Sequence, residues 1–227
     1  MTTFVLIPGA GGAAWYWHRV VPLLEQGGHE ALAVDLPGDD PHSGLQAYAD
    51  RVIAAFGNRS NVTLVAQSMG AFTAALVCAR ARTPIRRLVF VNAMIPVPGE
   101  MPGEWWDHTG WLEARIAAAK LGGYSIEFDL ATYFLHDFPK GVAEQGAAHE
   151  RREAEIAFYE RADFQAWPEV PIHVVVGKVD RFFPRDFQAR VARQRLGKPI
   201  DETPGGQLVA LSNPRDLTEL LLGYITK

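Results

Sequence analysis

The chain has little of three things that would narrow its class: cysteine, long apolar runs and clustered charge. Its 227 residues include one cysteine, Cys78, so an intrachain disulfide is excluded. Within the apolar segment AFTAALVCARA this cysteine is predicted to be a small buried hydrophobe. No apolar run reaches the ~18 residues of a membrane span. The opening MTTFVLIPGAGG has no basic stretch before its short apolar run, so no secretory signal is predicted. These absences predict a cytoplasmic protein with no membrane partner.

Positive charge is also scarce. The chain carries 22 Lys and Arg against 26 Asp and Glu, a net charge of -4, and its basic residues are scattered. Binding to nucleic acid requires a basic patch, so no nucleic-acid partner is predicted. No pair of the 7 histidines stands at metal-ligand spacing near a carboxylate or thiolate, so neither a metal nor another cofactor is predicted. A small-molecule partner is the remaining expectation.

Short β-branched apolar runs alternate with segments of helical period, which is typical of a mostly parallel α/β sheet flanked by helices. The predicted strands are residues 3–7, 30–36, 62–66, 87–93 and 172–177. The predicted helices are WHRVVPLLEQGG, LQAYADRVIAAFG, AFTAALVCARA and NPRDLTELLLGYI. Residues from about 95 to 168 interrupt this alternation of strands and helices, because they are rich in aromatic residues and helix formers and contain no strand-like run. The sequence therefore predicts a single domain over residues 1–227 with a helical lid inserted at about 95–168.

The segment VTLVAQSMGAFTAALV places Ser68 directly after a predicted strand and directly before a predicted helix. Small residues, Ala66 and Gly70, stand two positions to either side. A tight strand–turn–helix with small neighbours is the setting in which a nucleophilic serine is presented, although the match here is A-x-S-x-G. The alternative, a serine that only caps the helix, is less favoured by the other motifs.

The turn PGAGGAAW follows the first strand, where this architecture supplies main-chain N–H groups to a carbonyl oxygen that becomes negatively charged. The N–H groups of Ala10 and Met69 are therefore predicted to form an oxyanion hole. A phosphate-binding turn is the alternative, but the glycine spacing fits neither G-x-G-x-x-G nor a P-loop.

The segment VVVGKVDRFFP places Asp180 just past the end of a late strand, where α/β sheets collect catalytic groups. An acid at this place is expected to be followed by a histidine, in the chain order Ser, Asp, His. The alternative is an aspartate that only forms a turn.

With these motifs the chain resembles the α/β-hydrolases, and among them the small bacterial hydrolases akin to plant methylesterases and hydroxynitrile lyases. The resemblance runs end to end, through FVLIPGAGGAAWYWHRVVPLL, VTLVAQSMG, GKVDRFFP and PGGQLVALSNP. It implies an ester-type serine hydrolase with Ser68 as nucleophile, Asp180 as acid, and Ala10 and Met69 as oxyanion donors. The family's last motif carries its catalytic histidine where this chain has Gln207.

A carboxamide at position 207 cannot take the serine proton and return it to a leaving group, so hydrolysis is expected to be nearly silent. Gln207 can hydrogen-bond to Ser68 and Asp180, and the amide is expected within reach of the serine hydroxyl. His108 and His136 lie in the predicted lid, where no motif orients them against Asp180, so neither is expected to replace the base.

Two origins of Gln207 remain open. In the first, a hydrolase has had its histidine replaced; in the second, the protein binds a ligand without turning it over. A cyanohydrin lyase is a third hypothesis. By resemblance, such lyases carry a lysine after the histidine and a threonine in the first-strand turn, whereas this chain has Leu208 and Ala10.

Aromatic side chains of the predicted lid are expected to wall an apolar pocket above Ser68. The candidates are Trp105, Trp106, Trp111, Tyr133 and Phe134. The alternative is that most of them form the core of the lid itself. The expected substrate is a small, largely apolar ester.

Overall fold

The computed structural model describes residues 1–226, and in it six strands form one sheet. The strands are β1 (Thr3–Ile7), β2 (Glu30–Ala33), β3 (Val62–Gln67), β4 (Ile85–Val91), β5 (Ile172–Gly177) and β6 (Asp201–Thr203). Their order across the sheet is β2-β1-β3-β4-β5-β6, and every neighbouring pair is parallel. The predicted parallel sheet is therefore confirmed. Because all strands run the same way, their carboxyl ends meet at one edge, where such sheets bind ligands.

Successive side chains of β1 enter two separate cores. Phe4 and Leu6 belong to the core on one face of the sheet, whereas Val5 and Ile7 belong to the core on the other. All four side chains are fully buried. A strand buried on both faces is mostly apolar at successive positions, which is why the central strands read as near-continuous apolar runs.

Helices cover both faces of the sheet. In the described part of the chain they are α1 (Val21–Gln26), α2 (Leu45–Phe56), α3 (Gly70–Arg80), α4 (Pro102–Thr109), α5 (Trp111–Gly122), α6 (Leu130–Tyr133), α7 (Val142–Ala147), α8 (Glu155–Tyr159), α9 (Arg185–Leu196), α10 (Val209–Ser212) and α11 (Pro214–Ile225). A 3₁₀ turn at Ala14–Trp17 precedes α1. Helices α2, α3 and α9 pack on the core that holds Val5, and α1 and α11 pack on the core that holds Phe4.

Five helices, α4 to α8, lie between β4 and β5, where the sequence predicts a helical insertion. No strand interrupts them among the described residues. The insertion starts near the carboxyl end of β4, so it lies at the edge of the sheet to which Ser68 also belongs. Separately, no helix within residues 1–226 has both the length and the apolar character needed to cross a bilayer.

Three elements, β6, α9 and the short helix α10, have no counterpart in the sequence prediction. The short strand β6 has the sequence DET, two of its three residues are exposed, and it pairs only with β5 at the edge of the sheet. Such an edge strand is held by its neighbour rather than by an apolar pattern of its own. Helix α9 buries Phe187, Gln188, Val191 and Ala192, a helical spacing that its many arginines obscure.

Two predicted strand boundaries are also corrected. Strand β2 ends at Ala33 rather than at residue 36, and β4 runs over 85–91 rather than 87–93. The end of β4 has a clear cause: Asn92 has φ +44°, which takes the chain out of the extended conformation.

Candidate active site

Ser68 occupies the sharp turn between β3 and α3. Its backbone has φ +49°, a left-handed conformation that costs a non-glycine residue about 1–2 kcal/mol. Main-chain hydrogen bonds hold it there, because its N–H donates to Val91 (3.2 Å) and its carbonyl accepts from Ala71 (3.2 Å) and Met94 (3.0 Å). The half-buried side chain lines a cavity. The turn thus has the strained geometry that suits an exposed nucleophile.

Two glycines allow the turn after β1 to pack closely against the turn that holds Ser68. A Cβ on Gly70 would lie 2.4 Å from the carbonyl oxygen of Pro8, and a Cβ on Gly9 would lie 2.9 Å from the Cβ of Ser68. Neither separation is possible without moving the backbone. The small residue two positions after the serine is therefore required by the packing of α3 against the turn that follows β1.

Two main-chain N–H groups, those of Ala10 and Met69, share a cavity with Ser68. The amides of Ala10, in the turn after β1, and Met69, directly after the serine, donate to no residue within 1–226. Both residues line the cavity that Ser68 lines. Two N–H groups without a protein partner that share a cavity with a serine can donate to the same ligand oxygen.

Asp180 is buried, with 5% of its surface exposed, in the turn after β5. Its Oδ1 accepts from the N–H groups of Phe182 and Phe183, both at 2.9 Å, and its Oδ2 accepts from the side-chain amide of Gln188 at 3.2 Å. Burial raises the pKa of the Asp180 carboxyl well above its usual range, and the nearby carboxylate of Asp137 raises it further. The donors around this carboxyl are all neutral.

Gln207 is fully buried in the loop between β6 and α10. Its Nε2 donates to the main-chain carbonyl of Asn92 at 3.5 Å, and its Oε1 has no hydrogen-bond partner within residues 1–226. The Gln207 side chain therefore forms neither the predicted hydrogen bond to the Ser68 hydroxyl nor one to Asp180. The cause lies in the main chain, whose carbonyl at 207 is bound by the side chains of Asn92 (3.1 Å) and Gln67 (3.4 Å), leaving the Gln207 side chain directed at the end of β4.

Asn92, which the sequence reasoning missed, joins three strand ends. Its Nδ2 donates to the carbonyl of Gly206 (2.9 Å) as well as to that of Gln207, and its Oδ1 accepts from Gly177 (2.8 Å) and Gln188 (3.4 Å). The sequence feature that could have indicated Asn92 is a single amide directly after the apolar run RLVFV, because asparagine tolerates a positive φ better than most residues.

Two residues of the helical insertion, His136 and Asp137, lie next to the loop that carries Gln207. Asp137 Oδ2 accepts from the N–H of Gly206 at 2.6 Å, and His136 Nε2 lies 3.0 Å from the carbonyl of Val179. Burial lowers the pKa of His136, and nearby Arg181 lowers it further. Neither residue lines the cavity of Ser68, and no histidine of residues 1–226 does.

Two adjoining apolar cavities meet in front of Ser68. The cavity that the serine lines has a volume of ≈ 210 Å³, and its neighbour has ≈ 310 Å³. Both are lined by Ala10, Gln67, Phe134 and Leu208. The rim of the larger cavity includes exposed residues such as His149 and Glu150, so it is the one that opens to solvent.

The aromatic candidates divide between the cavity wall and the layer behind it. Trp106 and Phe134 line the cavity of Ser68. Trp105 and Tyr133 are fully buried behind it, and the Trp111 ring N–H donates to the carbonyl of Phe182 at 2.7 Å. The sequence reasoning missed three further wall residues, Met94, Phe158 and Phe182.

Known proteins are similar to this chain in sequence over most of its length. Residues 4–220 match the model of the alpha/beta hydrolase family. The chain is 32% identical to esterase PIR7B of Oryza sativa subsp. japonica, covering 99% of this chain and 96% of the esterase. It is 26% identical to alpha-hydroxynitrile lyase of Arabidopsis thaliana, covering 98% of this chain and 96% of the lyase. Against methylesterase 9 of Arabidopsis thaliana, at 27% identity, the match covers 64% of this chain and only 58% of the methylesterase.

The solved structure of polyneuridine aldehyde esterase has the same fold. It superimposes with a TM-score of 0.81 over 100% of both chains, at 22% identity. The resemblance seen in the sequence motifs is confirmed by these matches. The chain therefore belongs to the alpha/beta hydrolase family and is esterase-like within it.

Proposed function

We propose that this chain is a carboxylester hydrolase scaffold that binds small, largely apolar esters and that Gln207 leaves nearly inactive. The observation that carries the proposal is the shared cavity of Ser68 and the two unpartnered amides, Ala10 and Met69. These are the nucleophile and the donors that acyl transfer requires, in one apolar space.

In the proposed reaction the Ser68 oxygen attacks the ester carbonyl carbon, and the carbonyl oxygen becomes negatively charged. The N–H groups of Ala10 and Met69 stabilise that charge. The serine proton must pass to a base and then to the departing alcohol, and a histidine performs both transfers in related sites. Gln207 performs neither, and loss of the histidine from a serine triad costs about 10⁶ in kcat.

The surroundings of Gln207 support a histidine as the residue that suits this position. Gln207 Oε1 is a buried acceptor without a donor, which costs about 1–3 kcal/mol. Asp180 is a buried carboxyl beside a second carboxylate, Asp137, with only neutral donors around it. A protonated imidazole would offset both charges, as the acid of a triad requires.

The cavity walls support an uncharged substrate. Apart from Gln67 and Ser68, the cavity of Ser68 is lined by apolar residues, and three aromatic rings of the insertion, Trp106, Phe134 and Phe158, form part of its wall. We therefore assign the insertion the role of a lid. The more enclosed cavity suits the acyl group that stays on Ser68, and the cavity that opens to solvent suits the alcohol that leaves first.

A ligand-binding protein without turnover is the second candidate function. It is favoured by one observation, the Gln207 side chain that contacts Asn92 instead of Ser68. A lyase is less favoured, because the residue after Gln207 is Leu208, which contributes an apolar surface rather than a cation to both cavities.

Gln207→His tests the proposal. The restored imidazole should raise hydrolysis of short-chain p-nitrophenyl esters by about 10²–10⁴-fold or more. Adding Ser68→Ala should remove the gain, and a fluorophosphonate probe should label Ser68 only when position 207 is histidine. A folded Gln207→His protein that is as inert as the starting chain would decide in favour of the ligand-binding function.

A further inference from the structure

Glu153, in the coil between α7 and α8, contacts the turn that holds Ala10. We call residues 9–12 the oxyanion turn. Glu153 Oε2 accepts from the N–H of Gly11 at 2.6 Å, and its Oε1 accepts from the hydroxyl of Tyr48 in α2 at 2.5 Å. One carboxylate of the insertion thus joins the oxyanion turn to a buried residue of a core helix.

The coil around Glu153 is docked at several points. The N–H of Ala154 donates to the carbonyl of Gly38 at 2.6 Å, and the guanidinium of Arg151 contacts the carboxylate of Asp35 at 3.0 Å. The carbonyl oxygen of Arg151 lies 2.6 Å from the point that a Cβ on Gly11 would occupy. Gly11 also has φ +80°, so both the backbone conformation and the docked coil require glycine here.

Two hydrogen bonds hold the peptide planes on either side of the Ala10 α-carbon. The N–H of Gly12 donates to the carbonyl of Gly9 at 3.1 Å and orients the peptide plane between Gly9 and Ala10. In a trans peptide the N–H of Ala10 lies opposite that carbonyl, so its direction is set as well. Glu153 holds the N–H of Gly11 and thereby orients the next peptide plane. Both planes that flank Ala10 are therefore held, one from within the turn and one from the insertion.

We propose that Glu153 is a positioning residue that couples docking of the insertion to the orientation of the Ala10 amide. Docking of the coil 150–154 then restrains the peptide plane after Ala10, in addition to the restraint that the Gly12 N–H places on the plane before it. Glu153 itself lines neither cavity and acts through Gly11. The inference rests on the proposed function, because it gives the Ala10 amide the role of an oxyanion donor.

Burial and hydrogen bonds act in opposite directions on the charge of Glu153. Burial raises the pKa of Glu153 above its usual range, while the donors Tyr48 and Gly11 act in the opposite direction. The carboxylate has no cationic partner among the described residues, so its two donors are what retain it at this site.

The kinetic test uses the Gln207→His protein as its background. Glu153→Ala should lower kcat for p-nitrophenyl acetate about 10–100-fold and change KM less than about threefold, because an oxyanion contact strengthens in the transition state. The kcat of Glu153→Gln should lie between those of Glu153→Ala and the background, because a carboxamide has one acceptor oxygen for two donors. Glu155→Gln, an exposed carboxylate two residues away, is the matched control and should behave as the background does.

The second measurement needs no activity and is made in the chain with Gln207. Glu153→Ala should speed amide hydrogen exchange in the oxyanion turn at least about tenfold, and Glu155→Gln should not. Faster exchange together with a loss confined to kcat supports the proposal. Unchanged exchange, or a kcat within twofold of the background, overturns it. If Gln207→His shows no ester hydrolysis, the proposed function fails, and the exchange result alone then upholds or overturns the coupling.

Discussion

The side-chain amide of Asn92 donates a hydrogen bond to the main-chain carbonyl of Gln207 across 3.1 Å. This bond, from the residue that follows β4 to the loop after β6, places position 207 at the carboxyl edge of the sheet. It also has a cost, because Asn92 holds a positive φ of 44°. Asn92 has a strained backbone and binds two carbonyls of the loop after β6, so substitutions of Asn92 test what holds that loop.

Asn92→Ala should destabilise the chain by roughly 3–5 kcal/mol, because it leaves several buried main-chain groups unsatisfied and keeps the backbone strain. Asn92→Gly loses the same hydrogen bonds but relieves the positive φ, so it should be less destabilised by about 1 kcal/mol. Urea unfolding followed by fluorescence measures both. An Asn92→Ala protein as stable as the parent would mean that this network does not hold the loop.

Asp180 should be essential once a base is present. In the Gln207→His protein, activity should rise with pH through a pKa near ~7, as the imidazole loses its proton. Adding Asp180→Asn should lower kcat about 10⁴-fold, because the imidazole then loses its orientation and its stabilising charge. Rate profiles across pH check both expectations, and a double variant that keeps most of the activity would remove Asp180 from the triad.

In the chain with Gln207, the same carboxyl should make stability depend on pH. The folded pKa of Asp180 is raised above the unfolded value, so the folded state binds its proton more tightly. Stability from this group is complete below the unfolded pKa and is lost as pH rises toward the folded pKa. Asp180→Asn should therefore gain stability relative to the parent as pH increases from 4 to 8. Thermal unfolding across pH measures the difference, and equal curves at every pH would contradict the expectation.

The strain at Ser68 should be visible in stability. Ser68→Gly should be more stable than Ser68→Ala by about 1 kcal/mol, because glycine adopts a positive φ without steric cost. Both variants remove the hydroxyl, so the comparison isolates the backbone. Denaturant unfolding of the pair provides the measurement, and an alanine variant equal to or more stable than the glycine variant would show a relaxed turn.

The wall of the Ser68 cavity should limit acyl length. In the Gln207→His background, Phe158→Ala should shift the preferred p-nitrophenyl ester to longer chains, with each accommodated methylene worth about 0.8 kcal/mol, or roughly fourfold in kcat/KM. Tyr159→Ala is the matched control, because that neighbouring side chain is 65% exposed and lines neither cavity. An unchanged length preference in Phe158→Ala would place the acyl group elsewhere.

Much of the architecture follows from local patterns in the sequence. Strands β1, β3 and β5 lie inside the sheet with cores on both faces, so each has a near-continuous apolar run, and such runs are readable without a structure. The turn at Ser68 is readable because the strand, the serine with its small neighbours and the helix follow one another along the sequence, although the contact that requires Gly70 comes from the distant carbonyl of Pro8. The order of strands, turns and helices then implies which residues reach one edge of the sheet.

Other features depend on contacts between distant segments. Asp137 reaches Gly206 across 69 residues of chain, and Glu153 reaches Gly11 across 142. Nothing in the local sequence of the insertion indicates either partner, because the contact exists only after α4 to α8 have packed against the sheet. Strand β6 is similar, since its polar sequence DET forms a strand only because β5 offers a free edge.

Position 207 shows most clearly which features the sequence determines and which depend on the tertiary structure. The sequence alone determined that the chain carries an amide at position 207, and the resemblance of PGGQLVALSNP to the family's last motif predicts an imidazole there. Only the tertiary structure decided where that amide points. Asn92 and Gln67 hold its main chain, and a buried side chain takes the direction that its anchored backbone allows, so Gln207 contacts the end of β4 instead of the serine.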